Sequence, residues 1–251
     1  MVKVIDAHAH LEELDDLESA LKRAREAGVV AVVAVGSDYS SNKEILEISS
    51  SYTDYVYPAL GLHPWELSQD YEKVLEQIEA HADSIVAIGE VGLDYRISTS
   101  RELQKKAFRE VARLASKLDK TLIVHARDAW RDAFKIVAEE NVSKAIFHWF
   151  SGPLDLLDEL REKHYFISVT PAVLYQKKHI RAVERYPIEL IVIESDAPVS
   201  YRGKVSEPAD TLLSLKGLAS LKKLSLEETA KTVFNNTVRL YGLRGLEYEE
   251  D

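Results

Sequence analysis

Six short stretches of this sequence bring histidines and carboxylates together: Asp6-Ala-His8-Ala-His10, Gly61-Leu-His63-Pro64, Gly89-Glu90-Val-Gly92-Leu-Asp94, His125-Ala-Arg127-Asp128, His148-Trp149-Phe150-Ser-Gly152 and Glu194-Ser-Asp196-Ala-Pro198. Imidazole nitrogens with carboxylate oxygens suit zinc, manganese, iron or nickel, and the share of carboxylates also admits magnesium. The pair His8 and His10 is the sharpest feature. On an extended strand, residues two apart point the same way, so both rings can reach one ion. Taken singly, each residue has a structural alternative: His63 can cap a turn before Pro64, Glu90 can pair with an arginine, and Asp196 can organise the turn before Pro198. Their shared position argues otherwise. Each stretch follows directly on a short apolar run, and together they hold five of the eight histidines. His81, His164 and His179 fall elsewhere and read as surface or structural residues.

The apolar runs are the elements that must position these groups. Strand candidates are Val2–Asp6, Val29–Val35, Asp54–Leu60, Ile85–Gly89, Leu122–Val124, Ala145–Phe147, Tyr165–Val169 and Leu190–Ile193, most of them apolar throughout, as strands buried on both faces are. Between them lie segments of helical period. Leu14, Leu17, Leu21 and Ala24 form one, stopped by Gly28. Ser100 opens another, which carries Ala107, Phe108, Val111 and Leu114, and Ala129 to Val137 makes a third. Two more follow the eighth strand, at Thr211–Leu221 and Leu226–Leu240, the latter behind a Ser225/Glu228 capping box. This alternation predicts a parallel sheet in a single α/β domain spanning 1–251. A (β/α)₈ TIM barrel and an open doubly wound sheet both satisfy the rhythm. The absence of a glycine-rich dinucleotide fingerprint weighs against the open sheet. In a barrel all six polar stretches meet at one rim.

The chain has 251 residues, 46% of them hydrophobic, which excludes a disordered chain, and its lack of cysteine excludes a disulfide scaffold. Its 32 basic and 42 acidic residues give a net charge of −10, which argues against non-specific coating of nucleic acid and against an anionic membrane surface. An anionic substrate then has to be held locally, by metal ions and a few rim cations. No apolar run is long enough to cross a bilayer and no signal peptide is visible, so the expected location is cytoplasmic. A lack of cysteine, a single Met and abundant Lys, Arg and Glu also suit a heat-adapted protein.

Taken in order, the six stretches resemble the TatD family of metal-dependent hydrolases, within the amidohydrolase-like barrels, and the resemblance runs from Asp6 to the helix containing Asn235. It implies a binuclear centre with two divalent ions (Mg²⁺, Mn²⁺ or Zn²⁺). His8, His10 and Asp196 would hold one ion, His125 and His148 the other, and Glu90 would bridge both. It also implies a deoxyribonuclease that trims single-stranded DNA ends from the 3′ side, with broader phosphoesterase activity. Two positions depart from the family pattern: Ser206 stands before Glu207-Pro208 where Asn is usual, and Glu12 follows Leu11 where Asp is usual. Both lie outside the implied ligands and bear on substrate range.

Within this resemblance Asp196 is the expected general base, with Glu90 beside it in the catalytic set. His63, Asp94, Arg127 and Trp149 are the expected substrate contacts. His63 and Arg127 meet phosphate, while Trp149 or Tyr95 offers a base a stacking surface. Phe150 reads more readily as core. Lys177, Lys178, Arg181 and Arg185, after strand seven, either flank the mouth or form a solvated helix face. Two rival functions remain. One is an amidohydrolase acting on a small ester, lactone or cyclic amide; such relatives often bridge their metals with a modified lysine from strand four, where this chain has Glu90. The other is a non-catalytic metal-binding module, against which the complete ligand set argues.

Overall fold

Runs of Val, Ile and Ala buried on both faces place eight strands at the centre of the molecule. In the computed structural model, which describes residues 2–67 and 71–248, these are β1 (Val4–Ala9), β2 (Val29–Val35), β3 (Val56–Leu62), β4 (Ala87–Asp94), β5 (Thr121–Arg127), β6 (Ala145–Phe147), β7 (Phe166–Val169) and β8 (Ile191–Ile193). Each pairs in parallel with the next, in the order β1 to β8. The ring closes through the chain just beyond β8. Asp196 N–H donates to the His8 carbonyl at 3.0 Å, His10 N–H donates to the Ala197 carbonyl at 2.7 Å, and Ala9 bridges Ala197. The expected (β/α)₈ barrel is the observed fold.

Helices cover the outside: α1 (Leu17–Ala27), α2 (Tyr39–Ser51), α3 (Glu72–Ala80), α4 (Arg101–Lys117), α5 (Trp130–Glu139), α6 (Leu156–Glu162), α7 (Lys177–Arg185), α8 (Thr211–Lys222) and α9 (Leu226–Tyr241). Their ends follow local chemistry. Gly28 stops α1 at φ 100°, a left-handed conformation open to a residue without Cβ. Ser100 accepts from Leu103 N–H to open α4, and Ser225 with Glu228 forms the capping box of α9. The terminal helix is pinned under the barrel: Asn236 Nδ2 donates to the Ile188 and Ile191 carbonyls at 2.8 and 2.7 Å, while Asn235 faces out. Beyond β8 a short hairpin, β9 (Ser200–Tyr201) with β10 (Lys204–Val205), precedes α8.

Several strands run further than the sequence suggests. β1, β4 and β5 continue through His8, through Glu90 to Asp94, and through His125 to Arg127, so these polar residues stand within the sheet. A polar residue ends a strand only if it must reach water, and here the groups meet one another inside the rim. Two glycines allow the approach. Gly92 sits opposite His125 at φ 152°, and a Cβ there would lie 2.0 Å from the His125 carbonyl oxygen. A Cβ on Gly61 would lie 2.3 Å from Glu90 N. Both would force β4 away from its neighbours.

His179, on α7, is fully buried and structural, as the sequence suggests. Its Nε2 accepts from Thr170 N–H at 3.3 Å, so the proton resides on Nδ1, which donates to the Phe150 carbonyl at 2.8 Å. Accepting on Nε2 requires the neutral ring, and burial pushes its pKa down to about 4. This folded value lies below the unfolded one, so the ring's contribution is complete above pH ~6.5 and is lost as the pH falls through about 4. Urea unfolding at pH 7 and pH 4 should show the wild type losing about 3 kcal/mol more than His179→Gln over this interval. Equal losses in the two proteins would contradict the assignment.

Candidate metal centre

The carboxylate of Glu90, only 3% exposed, lies at the middle of the carboxyl-terminal rim. Its Oε2 is 3.3 Å from both His8 Nε2 and His10 Nε2. Its Oε1 is 2.7 Å from His125 Nδ1, 2.9 Å from His148 Nε2 and 3.7 Å from His63 Nε2. The two oxygens thus face different groups of imidazoles. Asp196 Oδ1 stands 3.6 Å from His8 Nε2, on a residue held at φ 52° just past β8. The fold therefore gathers all six expected ligands, His8, His10, Glu90, His125, His148 and Asp196, around one point.

Four donor sets result among the described residues: His8, His10 and Asp196; His8, His148 and Glu194; His10, Glu12 and Glu13; and, sharing no residue with these, His63, Glu90 and His125. Glu194 enters by the fold. Its Oε1 lies 3.2 Å from His148 Nδ1, which turns Nε2 toward Glu90. The signal was available in sequence, since Glu194 stands two residues before Asp196, as His8 does before His10.

The donors fit a divalent cation. His8 and His10 bring their Nε2 atoms within 3.2 Å of each other, and their buried Nδ1 atoms have no hydrogen-bond partner among the described residues. Burial opposes charge throughout the cluster. It pushes Asp196 up, with Glu194 and Glu90 adding to the effect against the nearby imidazoles. Burial also opposes ionisation of Glu90, yet His148, with hydrogen bonds from His10 and His125, holds its carboxyl well below the usual range. Burial disfavours a charged His10 as well, but Glu90 draws its pKa up to about 9. A cation bound here would neutralise carboxylates that burial otherwise penalises.

The other expected site residues divide. His63 is buried and accepts the Trp65 backbone N–H on Nδ1 at 3.3 Å, which leaves the proton of a neutral ring on Nε2, facing Glu90. Arg127 is half exposed at the rim, 3.9 Å from Asp94. Asp94 itself is fully buried, its carboxylate accepting from Trp65 Nε1 at 2.7 Å and from Arg96 N–H at 2.8 Å. Both oxygens are engaged, so it braces its neighbours.

The aromatics sort as sharply. Trp149 is partly buried, donating from Nε1 to Gln176 with its ring against Tyr201. Tyr95 is covered on one face by Arg101, and Phe150 is core. Of the four cations after β7, Lys178 and Arg181 line the cavity over the site, whereas Arg185 pairs with Asp158. Of the two departures from the family pattern, Glu12 lines that cavity and Ser206 does not. The cavity holds about 1450 Å³.

Fold and site together define a metal-dependent hydrolase built on a (β/α)₈ barrel. The chain belongs to the TatD-related DNase family, whose model matches residues 5–242. It is 33% identical to the metal-dependent hydrolase YabD of Bacillus subtilis, an alignment covering 95% of this chain and 98% of that one. Human deoxyribonuclease TATDN3 is 29% identical, with 96% and 95% covered. Among solved structures, the TatD homologue YJJV of Escherichia coli superposes with a TM-score of 0.89 at 26% identity, over 96% of this chain and 98% of that one. Among the described residues no helix is long and apolar enough to cross a membrane.

The site depends on a latch beneath it. Ser195 donates through its backbone N–H and its hydroxyl to the two oxygens of buried Asp6, at 2.8 and 2.6 Å, tying the loop that carries Asp196 to β1. Asp6→Ala would leave both donors buried without an acceptor, at about 1–3 kcal/mol each. The expected result is a loss of about 3 kcal/mol in urea unfolding, and a smaller loss for Asp6→Asn, which keeps one acceptor. A change below about 1 kcal/mol in the alanine variant would show that the latch does not hold the loop.

Proposed function

We propose that the chain is a two-ion phosphodiesterase acting on DNA, trimming single-stranded ends from the 3′ side. The observation that carries the two-ion reading is the division of Glu90, one oxygen toward His8 and His10 and the other toward His125 and His148. In this reading His8, His10 and Asp196 hold one ion, His125 and His148 the other, and Glu90 both. Bound there, two divalent ions (Mg²⁺, Mn²⁺ or Zn²⁺) would polarise a phosphoryl oxygen and acidify water.

The chain's own groups supply the rest. Asp196 accepts the proton of the attacking water, Glu194 orients His148, and His63 Nε2–H and Arg127 bind phosphate oxygens. The names of the relatives support DNA as the substrate class, and the 3′ polarity follows the family resemblance. The recessed centre supports an end-directed mode, because a flexible strand end bends into a pocket that a stiff duplex cannot enter. An amidohydrolase with a lysine bridge has no counterpart here, since none of the barrel strands carries a lysine.

Metal-stripped protein should be inactive and regain activity as Mg²⁺, Mn²⁺ or Zn²⁺ is restored. Glu90→Gln should lower metal content and turnover together; two ions per chain with normal turnover would refute the bridge. Asp196→Asn should fold but lose roughly 10²–10⁴-fold in kcat, and wild-type turnover near neutral pH would exclude it as the base.

End-labelled single strands, duplexes, closed circles and strands blocked at either terminus test the mode of attack. Equal cutting of circles and linear strands would refute end recognition, and resistance only to 5′ blocking would reverse the polarity. Lys178 and Arg181 have no ion pair among the described residues. Replacing both with Gln should weaken oligonucleotide binding and reduce the slope of log K against log salt by about 1–2. An unchanged slope would remove them from the binding path.

A further inference from the structure

Trp65 is 56% exposed, and among the described residues it alone combines a large exposed aromatic side chain with a place in the cavity wall. An indole left open in this way gains nothing from burial, yet it is held at two points. Its Nε1–H donates to Asp94 Oδ2 at 2.7 Å, and its backbone N–H donates to His63 Nδ1 at 3.3 Å. Asp94 is held in turn: Gln104 accepts its backbone N–H and donates to its carbonyl, while Arg96 N–H occupies the other carboxylate oxygen. The indole ring centre therefore sits 4.9 Å from that of His63 and 6.4 Å from that of His125, steeply inclined to both rings. Hydrogen bonding takes the indole N–H, and more than half of the residue stays exposed to the cavity.

The charges around the cavity say what meets that face. Arg96, Arg101, Arg127, Lys178 and Arg181 line one side and outnumber the Asp128 and Asp132 that stand among them, with Arg131 there already paired to Asp155. Glu12, Glu13, Asp38 and Glu66 line the side formed after β1, β2 and β3, to which Trp65 belongs. A phosphate backbone is drawn to the first side and repelled from the second. The part of a nucleotide left to face Trp65 is its uncharged base. The other aromatics near the mouth are less free: Trp149 packs on Tyr201, Arg101 covers Tyr95 and Phe150 is buried.

We infer that Trp65 is the stacking platform for the base of the nucleotide at the scissile phosphate, and so a positioning residue for that bond. The inference rests on the nuclease reading. Stacking of this kind is worth about 1–3 kcal/mol, or about 5- to 150-fold in binding. The test measures KM for a single-stranded oligonucleotide and for the same strand ending in a base-less tetrahydrofuran nucleotide. Wild type should lose at least about tenfold on removal of the base, and Trp65→Ala should discriminate little between the two strands.

Trp65→Phe, which keeps a ring but loses the bond to Asp94, should restore most of the discrimination, whereas Trp65→Leu should not. Wild-type-like discrimination in Trp65→Ala overturns the inference. So does failure of Phe to restore it, which would place the effect in the Asp94 hydrogen bond. A wild type that hydrolyses a simple phosphodiester but no oligonucleotide overturns the nuclease reading itself, and the inference with it.

Discussion

One buried carboxylate surrounded by imidazoles organises this molecule. Glu90 lies within 4 Å of five histidines, contributed by the carboxyl ends of β1, β3, β5 and β6. An ionised group so deeply buried is tolerated only when its charge is answered at close range. The strands must therefore converge on it. Gly61 and Gly92 make room where β4 meets its neighbours, and the Asp6–Ser195 latch brings the chain after β8 back against β1. Structural and chemical demands coincide at this point: the arrangement that closes the barrel also assembles the donor set.

Around that centre the protein separates ligation from support. His8 and His10 present Nε2 with no partner on Nδ1, whereas His148 is oriented by Glu194 and His63 by a backbone N–H. Asp94 supports Trp65 and lies beside Arg127 while making no opening of its own. The cavity above divides by net charge, cationic where Arg96, Arg101, Arg127 and the α7 residues Lys178 and Arg181 outnumber Asp128 and Asp132, and acidic toward the loops after β1 to β3. A chain with a net charge of −10 can accommodate a polyanion on these terms, because the favourable field is local and faces the site.

Much of this was legible in the sequence. Apolar β-branched runs alternating with helical periods indicate parallel strands, and the repeated placement of His, Asp and Glu after those runs indicates a shared rim. Helix ends at Gly28, Ser100 and Ser225 are equally local, since a capping side chain reaches only its own first turn. The six candidate ligands could be named because residue type and the two-residue strand repeat are properties of the chain itself.

Tertiary structure decided what depends on distance between segments. Strands were expected to stop at their first polar residue, but β4 and β5 run on because those residues find partners across the barrel. Glu194 became a partner of His148, and Asp6 of Ser195, through contacts spanning 46 and 189 positions of sequence. Trp149 directly follows the rim histidine His148, and Trp65 stands two residues after His63. Packing against Tyr201 and Gln176 half covers the first, whereas the bonds to Asp94 and His63 hold the second open over the site. Local sequence sets which groups are available and which way a strand repeat points them. Which of them meet, and which face stays free, is settled by the convergence of eight strands on one buried charge.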